Sequence, residues 1–175
     1  MSTTIRSSLP SLIATVDRML HLLLGWLAKI AFILAPPVLR IALALPFFRS
    51  GLTRWDGFLS LAPSAEYLFS ELFKLHIFGG EYDIPAPVLV AHMTGIAEIV
   101  LPILLILGLG TRFSAFGLLL MTGVIQLVVP DGWANFHLYW AAMALAIIAL
   151  GAGPLSIDYL IGRLIGAPHM WDGRT

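Results

Sequence analysis

Four apolar stretches of about span length alternate along the chain with short polar, glycine-rich or proline-rich segments. A helix needs roughly 20 apolar residues to cross the hydrocarbon core of a bilayer. The links between the last three stretches are short, so the helices that they join must run antiparallel. The pattern therefore predicts an all-α fold, an integral membrane up-and-down four-helix bundle. The predicted spans are 38–55, 87–107, 113–129 and 136–152.

The segment before the first span is less uniformly apolar. Polar side chains and a glycine recur there mostly in steps of three or four, which places them on one side of a helix. They are Asp17, Arg18, His21, Gly25 and Lys29. This pattern predicts an N-terminal amphipathic helix that lies at the membrane interface. A true span and a cytosolic helix packed on a partner stay open as alternatives for residues 12–34.

The domain boundaries follow from proline and from the end of the apolar pattern. Pro36–Pro37 is expected to end or kink the N-terminal helix, because proline lacks a backbone N–H and clashes with the preceding turn. The expected organisation is an interfacial segment 1–37, a membrane domain 38–160 and a cytoplasmic tail 161–175. No small-residue cleavage site follows the first apolar run, so no cleaved signal peptide is expected.

The first outer loop, residues 56–86, contains a second amphipathic pattern. Between Ser64 and Phe78, apolar and charged residues recur at helical spacing, which predicts a helix. Ser64 is its expected N-cap, and Gly79–Gly80 its expected end. A solvated surface helix and a lid over the outer mouth of the bundle are both consistent with this pattern.

Composition supports lipid as the solvent of this chain. Of its 175 residues, 59% are hydrophobic and only 11% are charged, whereas soluble domains are nearer one half and one quarter. The formal net charge is zero, so no basic surface for nucleic acid is expected. The absence of cysteine excludes disulfides, thiol catalysis and thiolate metal sites. The five histidines form no i, i+4 pair, and no metal site is predicted.

The distribution of Lys and Arg predicts the orientation in the membrane. If the N-terminus is inside, seven basic residues fall on the inner side and three on the outer side. Both termini are therefore expected in the cytoplasm, with the protein in the inner (plasma) membrane. The inner residues are Arg6, Arg18, Lys29, Arg40, Arg112, Arg163 and Arg174, and the outer residues are Arg49, Arg54 and Lys74.

Among the polar residues of the predicted spans, Glu98 is the one whose presence in a bilayer core is most costly. It lies between apolar residues in the middle of the second span, and an acid at that depth is paired, protonated or functional. At a rise of about 1.5 Å per residue, Glu98 lies about 15 Å from the inner end of its helix and Arg49 about 16 Å. Arg40 lies only about 3 Å from the inner end of the first span. Arg49 is therefore the predicted partner, and Arg40 is expected to snorkel inward.

The same height argument predicts a polar cluster in the outer half of the bundle. The ligand-binding candidates are Arg49, His92, Glu98, Gln126 and His137. Glu98 and Arg49 are also the catalytic candidates. Three interpretations stay open, namely a structural ion pair, a proton relay and a ligand site. His92 is expected to be a hydrogen-bonding residue between helices rather than a metal ligand.

Several short motifs in this order resemble the DoxX-like family of small four-span membrane proteins (DoxX and DoxD). The match covers roughly residues 38–160, and Arg54 fills the place where the family often has Lys or Arg after the first-span glycine. The residues of these motifs with expected structural roles are Arg40, Gly51, Arg112, Asn135, Ser156 and Asp158. The motifs are Leu39-Arg40 leading into Phe48-Arg49-Ser50-Gly51, Gly95-Ile96-Ala97-Glu98, Leu107-Gly108-Leu109-Gly110-Thr111-Arg112, Asn135-x-His137 and Gly153-Pro154-Leu155-Ser156-Ile157-Asp158.

The resemblance implies an inner-membrane protein whose relatives include DoxD-like subunits of a thiosulfate:quinone oxidoreductase and members of oxidative-stress or thiol-stress assemblies. The expected function is an accessory or scaffold subunit of a membrane redox or stress-response assembly. The alternative is a quinone-handling oxidoreductase subunit that uses Glu98 and Arg49. A small-molecule transporter is disfavoured because no inverted repeat is present. The sequence shows no redox cofactor site, so electron transfer would need a bound quinone or a membrane or soluble redox protein.

Overall fold

The computed structural model describes residues 4–166, with side chains from residue 13 onward. It confirms the predicted all-α membrane bundle, because four helical segments in this part of the chain are long and apolar enough to cross a membrane. They are Ile13–Leu52, Pro87–Leu107, Thr111–Val128 and Pro130–Leu150. The side chain of Arg6, all of Arg174 and the predicted tail beyond residue 166 lie outside the described residues.

The chain divides into two compact units, residues 1–35 and 36–175. Helix α1 runs without interruption from Thr4 to Leu52, so the helix does not end at Pro36–Pro37. In apolar surroundings, leaving the helix would expose several backbone groups without partners, which costs more than the bonds that proline removes. In the first unit, the side chains of residues 13–34 are exposed.

The second unit contains the remaining membrane helices. Helix α3 is Pro87–Leu107 and α4 is Thr111–Val128, within two residues of the predicted spans. A short 3₁₀ turn and a π-helical turn, Trp133–His137, lead into α5, Leu138–Leu150. A short helix α6, Ile157–Leu164, follows.

The loop between α1 and α3 contains the predicted helix only over its first part, up to Leu72, and has one hairpin on each side of it. Strands β1 (Trp55–Gly57) and β2 (Ser60–Leu61) form one antiparallel hairpin. Helix α2 (Pro63–Tyr67) and a π-helical turn (Leu68–Leu72) follow. Helix α2 begins at a proline and its start has no side-chain cap, so the expected capping by Ser64 is wrong.

The predicted helix is also wrong beyond residue 73. Strands β3 (Lys74–Ile77) and β4 (Gly80–Asp83) form a second antiparallel hairpin. Its two turn residues have positive φ, +49° at Phe78 and +81° at Gly79. Two-residue turns of this kind match the twist of paired strands, so the glycines mark a hairpin rather than a helix end.

The apolar core of the second unit lies between α1, α3, α4 and α5. It consists of Leu43, Ala44, Phe47, Leu105, Ala115, Leu118, Ala144 and Ile147. A smaller cluster lies beneath the loop and joins it to α3 through Phe69, Ile84 and Ala91. We call the end of the bundle at the Gly108–Gly110 turn the inner end, following the predicted orientation, and the opposite end the outer end.

Two close contacts place α1 beside α3. A Cβ at Gly108 would lie 2.0 Å from Nη1 of Arg40, and a Cβ at Gly51 would lie 2.9 Å from Cβ of Glu98. From residue 40 to 51 is eleven residues, and from 108 to 98 is ten, about 16 and 15 Å along the two helices. The two helices therefore run antiparallel, and the two contacts are separated by nearly the same distance along each of them. Since α1 ends at Leu52, it stops about halfway along α3.

Candidate functional site

The buried carboxylate of Glu98 forms a two-point ion pair with Arg54. Nε of Arg54 donates to Oε2 at 2.5 Å, and Nη2 donates to Oε1 at 2.8 Å. Glu98 is 1% exposed, and the guanidinium of Arg54 also lies over the ring of Phe69 at 4.9 Å. Pairing of this kind satisfies both oxygens of an acid that the bilayer would otherwise exclude.

The predicted pair between Arg49 and Glu98 is wrong. Arg49 is exposed, and no hydrogen bond or ion pair joins it to another described residue. Gly51 faces Glu98, and residues two apart on a helix are turned by about 200° from each other, so Arg49 points away. The height estimate placed Arg49 at the correct level but did not consider its direction.

Arg54 reaches Glu98 because α1 ends just before it. The backbone N–H of Arg54 donates to the carbonyl of Gly51, which closes a turn after Leu52. That turn carries the side chain back over α3. The signal that could have identified Arg54 was already in the family resemblance, which places a basic residue shortly after Gly51.

A cavity of about 640 Å³ adjoins this ion pair in the outer half of the bundle. Its walls come from α1, α3, α4 and α5, and residues of the first outer loop cover it, among them Phe69, Phe73 and Ile84. Most lining residues are apolar, and Arg54 and Glu98 are the charged ones. The space exists because α1 stops halfway along α3 and the loop only partly fills the place of a fourth helix.

A second polar pair joins Gln126 and His137. Nδ1 of His137 lies 2.6 Å from Oε1 of Gln126, whose Nε2 donates to the carbonyl of Pro130 at 2.9 Å. The ring of His137 also packs against Trp140, which lines the cavity. The structure thus brings two of the five candidate residues into direct contact, but no hydrogen bond links this pair to Glu98.

We expect Gln126→Leu to destabilise the protein by about 1–3 kcal/mol, the usual cost of leaving buried polar groups unpaired. The substitution removes the partner of the buried ring of His137 and the donor to Pro130. Thermal unfolding in dodecylmaltoside would measure the change. Val124→Leu on the exposed side of the same helix is the matched control. Equal stability of the two variants would contradict the prediction.

His92 stands apart from both pairs. Its Nδ1 lies 2.8 Å from the carbonyl of Val88 on the preceding turn, and its ring meets the edge of Trp55 at 6.0 Å. Trp55 in turn covers Gly95, where a Cβ would lie 2.7 Å from the indole. The bond of His92 is therefore within its own helix, unlike the interhelical bond that the sequence suggested, and Trp55 is a neighbour that the sequence analysis missed.

Arg40 does not snorkel inward as expected. It is 2% exposed, and Nη2 donates to the carbonyl of Leu155 at 2.5 Å. The contact is possible because Leu155 lies in the segment between α5 and α6, which folds back against α1 at the level of Arg40. A buried guanidinium there ties α1 to the last part of the membrane domain.

The same inner segment is tied to the turn between α3 and α4. The carboxylate of Asp158 accepts hydrogen bonds from the backbone N–H groups of Gly110 and Thr111, both at 2.8 Å. Its own N–H donates to the carbonyl of Gly108 at 2.8 Å. Ser156 caps α6 by accepting from the N–H of Tyr159. Two of the sequence motifs thus form one structural clasp.

The other motif residues have simpler surroundings. Arg112 is exposed and lies near Gly151, and Asn135 is exposed within the π-helical turn before α5. Gly51 permits the close approach of α1 to Glu98. Between residues 13 and 166, no group of three or more His, Asp or Glu side chains lies close enough together to hold a metal ion.

Comparison with known proteins places this chain in a family. The model of the DoxX family matches residues 35–131. An uncharacterized protein of Haemophilus influenzae is 32% identical over 135 residues, which cover 73% of this chain and 83% of the relative. No solved structure matches the chain.

Proposed function

This chain belongs to the DoxX family, and we propose that it is a membrane subunit of a redox assembly that binds a quinone in the cavity beside Arg54 and Glu98. The observation that supports this proposal is the cavity itself. Its volume of about 640 Å³ lies within the range of small-molecule sites, roughly 300–1,000 Å³. An apolar wall with a single charged pair suits a ligand with a small polar head and an apolar body.

A quinone has that chemistry. Its ring and tail are apolar, and its carbonyl oxygens accept hydrogen bonds. Arg54 uses Nε and Nη2 on Glu98, which leaves Nη1 to donate to a ligand carbonyl. Ser50 and Thr94 also line the cavity and supply hydroxyl groups. A hydrogen bond from a charged donor contributes about 1.5–3 kcal/mol, enough to orient the head group.

Reduction of a quinone to its quinol consumes two electrons and two protons. In our proposal a redox protein of the assembly supplies the electrons. Glu98 is the acid among the residues that line the cavity. In our proposal two protons from water pass through it one at a time to the quinone oxygens, and each time Glu98 is protonated it releases one oxygen from Arg54. We further propose that the protein lies in the inner (plasma) membrane with both termini in the cytoplasm, which puts the cavity in the outer leaflet.

Arg54→Gln should weaken binding of decylubiquinone about tenfold or more, since 1.4 kcal/mol corresponds to tenfold in affinity. Binding would be measured in dodecylmaltoside by quenching of tryptophan fluorescence, because Trp140 lines the cavity. Arg49→Gln, at an exposed arginine in the last turn of α1, should bind as the unaltered protein does.

Two results would overturn the proposal. The first is quenching of the unaltered protein that does not saturate, as expected for quinone dissolved in the micelle. The second is equal affinity for the Arg54→Gln and Arg49→Gln variants. Replacement of Trp140 by phenylalanine should remove most of the quenching and so locates the ligand.

A scaffold subunit without a ligand is the second candidate. It is favoured by the geometry of the ion pair, because Arg54 already satisfies both oxygens of Glu98. A buried pair of this kind can serve only to fix the register of two helices. The scaffold function is the correct one if an assembled complex keeps its full quinone-dependent turnover with Glu98→Gln and the isolated chain shows no saturable binding of decylubiquinone.

A further inference from the structure

The first outer loop stands at the level of the outer half of α3 rather than above it. Gly51 lies against Glu98, so α1 ends there, while α3 continues for eleven more residues to Pro87, about 16 Å. Residues 53–86 therefore occupy the height at which the missing half of α1 would stand. Non-helical backbone at membrane depth is tolerated only where protein or a cavity surrounds it.

The loop packs into the bundle at this level. Trp55 covers Gly95, and the cluster of Phe69, Ile84 and Ala91 joins the loop to α3. On the other side, Nδ1 of His76 in β3 lies 3.1 Å from the carbonyl of Leu127, one residue before the end of α4. Both hairpins are thus held against membrane helices rather than suspended above them.

Each hairpin presents an exposed phenylalanine at its tip. Phe58 is 96% exposed, and Phe78 is fully exposed. The turns also strain non-glycine residues, since Leu59 has φ +56° and Phe78 has φ +49°. Asparagine or glycine would suit a left-handed turn position better than phenylalanine does. Turn geometry therefore disfavours the phenylalanine at position 78, and the near-complete exposure of Phe58 shows no packing within the described part of the chain that would account for an aromatic residue there.

The charged side chains of the second hairpin pair with one another across its two strands. Lys74 and Asp83 form an ion pair across the strands, and this bond to Asp83 raises the pKa of Lys74. Nε2 of His76 lies 3.7 Å from Oε1 of Glu81 on the opposite strand. An apolar tip beside paired charges suits the boundary between headgroups and acyl chains, where aromatic residues are enriched.

We propose that Phe58 and Phe78 insert into the outer leaflet of the bilayer and anchor the loop over the bundle. Lipid is the occupant because the exposed apolar side of α4, with Val124 and Leu127, continues to the point where β3 packs. Met93 on α3 is also apolar and exposed, and it lies close to the level of Trp55. This inference goes beyond the proposed function and stands without any quinone.

The chain contains no cysteine, so single cysteines can be labelled without background. We would attach a nitroxide at Phe58→Cys and at Phe78→Cys and reconstitute the protein into phosphatidylcholine vesicles. Collision rates with oxygen, which concentrates in lipid, and with a water-soluble nickel chelate would then be measured. Asp56→Cys and Glu81→Cys on the same hairpins are the aqueous comparators, and Met93→Cys is the lipid comparator.

We expect the ratio of oxygen to nickel collisions to be several-fold higher at 58 and 78 than at 56 and 81, and close to that at 93. A ratio at the tips equal to that of the aqueous comparators would overturn the inference. Protection of the tips from both reagents would also overturn it, because protein, such as a second copy, would then cover them. A nitroxide at Leu59→Cys repeats the measurement next to an unaltered Phe58, so that the proposed anchor is still present.

Discussion

Replacing Arg54 with methionine should destabilise the protein by about 3–5 kcal/mol, the usual cost of removing one partner of a buried ion pair. Glu98 is 1% exposed and has both oxygens on Arg54, so the variant must bury a lone carboxylate or protonate it. The free energy of unfolding would be measured by denaturant titration in dodecylmaltoside.

Two further variants separate this effect from the loss of a basic side chain. Arg49→Met removes an exposed arginine from the last turn of α1 and should change the unfolding free energy by no more than about 0.5 kcal/mol. Adding Glu98→Leu to Arg54→Met removes the unpaired acid and should recover most of the lost stability. If Arg54→Met and Arg49→Met have the same stability, Glu98 does not depend on Arg54.

Gly108→Ala should also be strongly destabilising, by about 2–5 kcal/mol. Gly108 has φ +70°, which costs a non-glycine residue about 1–2 kcal/mol. The added Cβ would lie 2.0 Å from Nη1 of Arg40 and 2.5 Å from Cβ of Ser156, and such overpacking costs about 1–3 kcal/mol more. Thermal and denaturant unfolding would measure the sum.

Gly110→Ala provides the matched control two residues away. Its φ of +57° imposes the same backbone strain, but no atom lies within 4 Å of the Cβ position. We therefore expect a loss of only about 1–2 kcal/mol, from strain alone. Equal losses for the two variants would show that Arg40 and Ser156 are not packed tightly against the turn, and the inner clasp would then be wrong.

Arg54→Met and Gly108→Ala test two different attachments of α1 to the rest of the bundle, one at its outer end and one at Arg40. The inner clasp, through Arg40 and Asp158, ties α1 and the turn between α3 and α4 to the segment around α6. The outer ion pair adjoins the cavity and can serve both stability and ligand binding. A variant that restores stability but not binding, such as Arg54→Met with Glu98→Leu, separates these two contributions.

The sequence analysis predicted the burial of Glu98 correctly but not its partner. Glu98 was identified correctly as a buried acid because its depth follows from its place in an apolar run. Its partner could not be found by height alone, since the direction of a side chain on α1 depends on which side of that helix packs. Gly51 decides that side, and its role appears only when α3 is in place.

The helix prediction for the first outer loop failed in part for a related reason. Amphipathic spacing from Ser64 to Phe78 suits a helix, and the part up to Leu72 is helical. Beyond it, the short segment Lys74–Ile77 becomes a strand because Gly80–Asp83 can pair with it across a tight turn. Local periodicity cannot show whether a partner strand is present, and tertiary pairing overrides the helical pattern.

The amino-acid sequence by itself determined that this is a helical membrane protein, where its last three spans lie and how deep Glu98 is buried. These properties follow from the order of apolar residues along one chain, because lipid selects helices of a set length. Only the tertiary structure decided that α1 stops halfway, that Arg54 pairs with Glu98 and that a cavity opens beside them. Those properties depend on which faces of separate helices meet, and that choice is made by packing across the bundle.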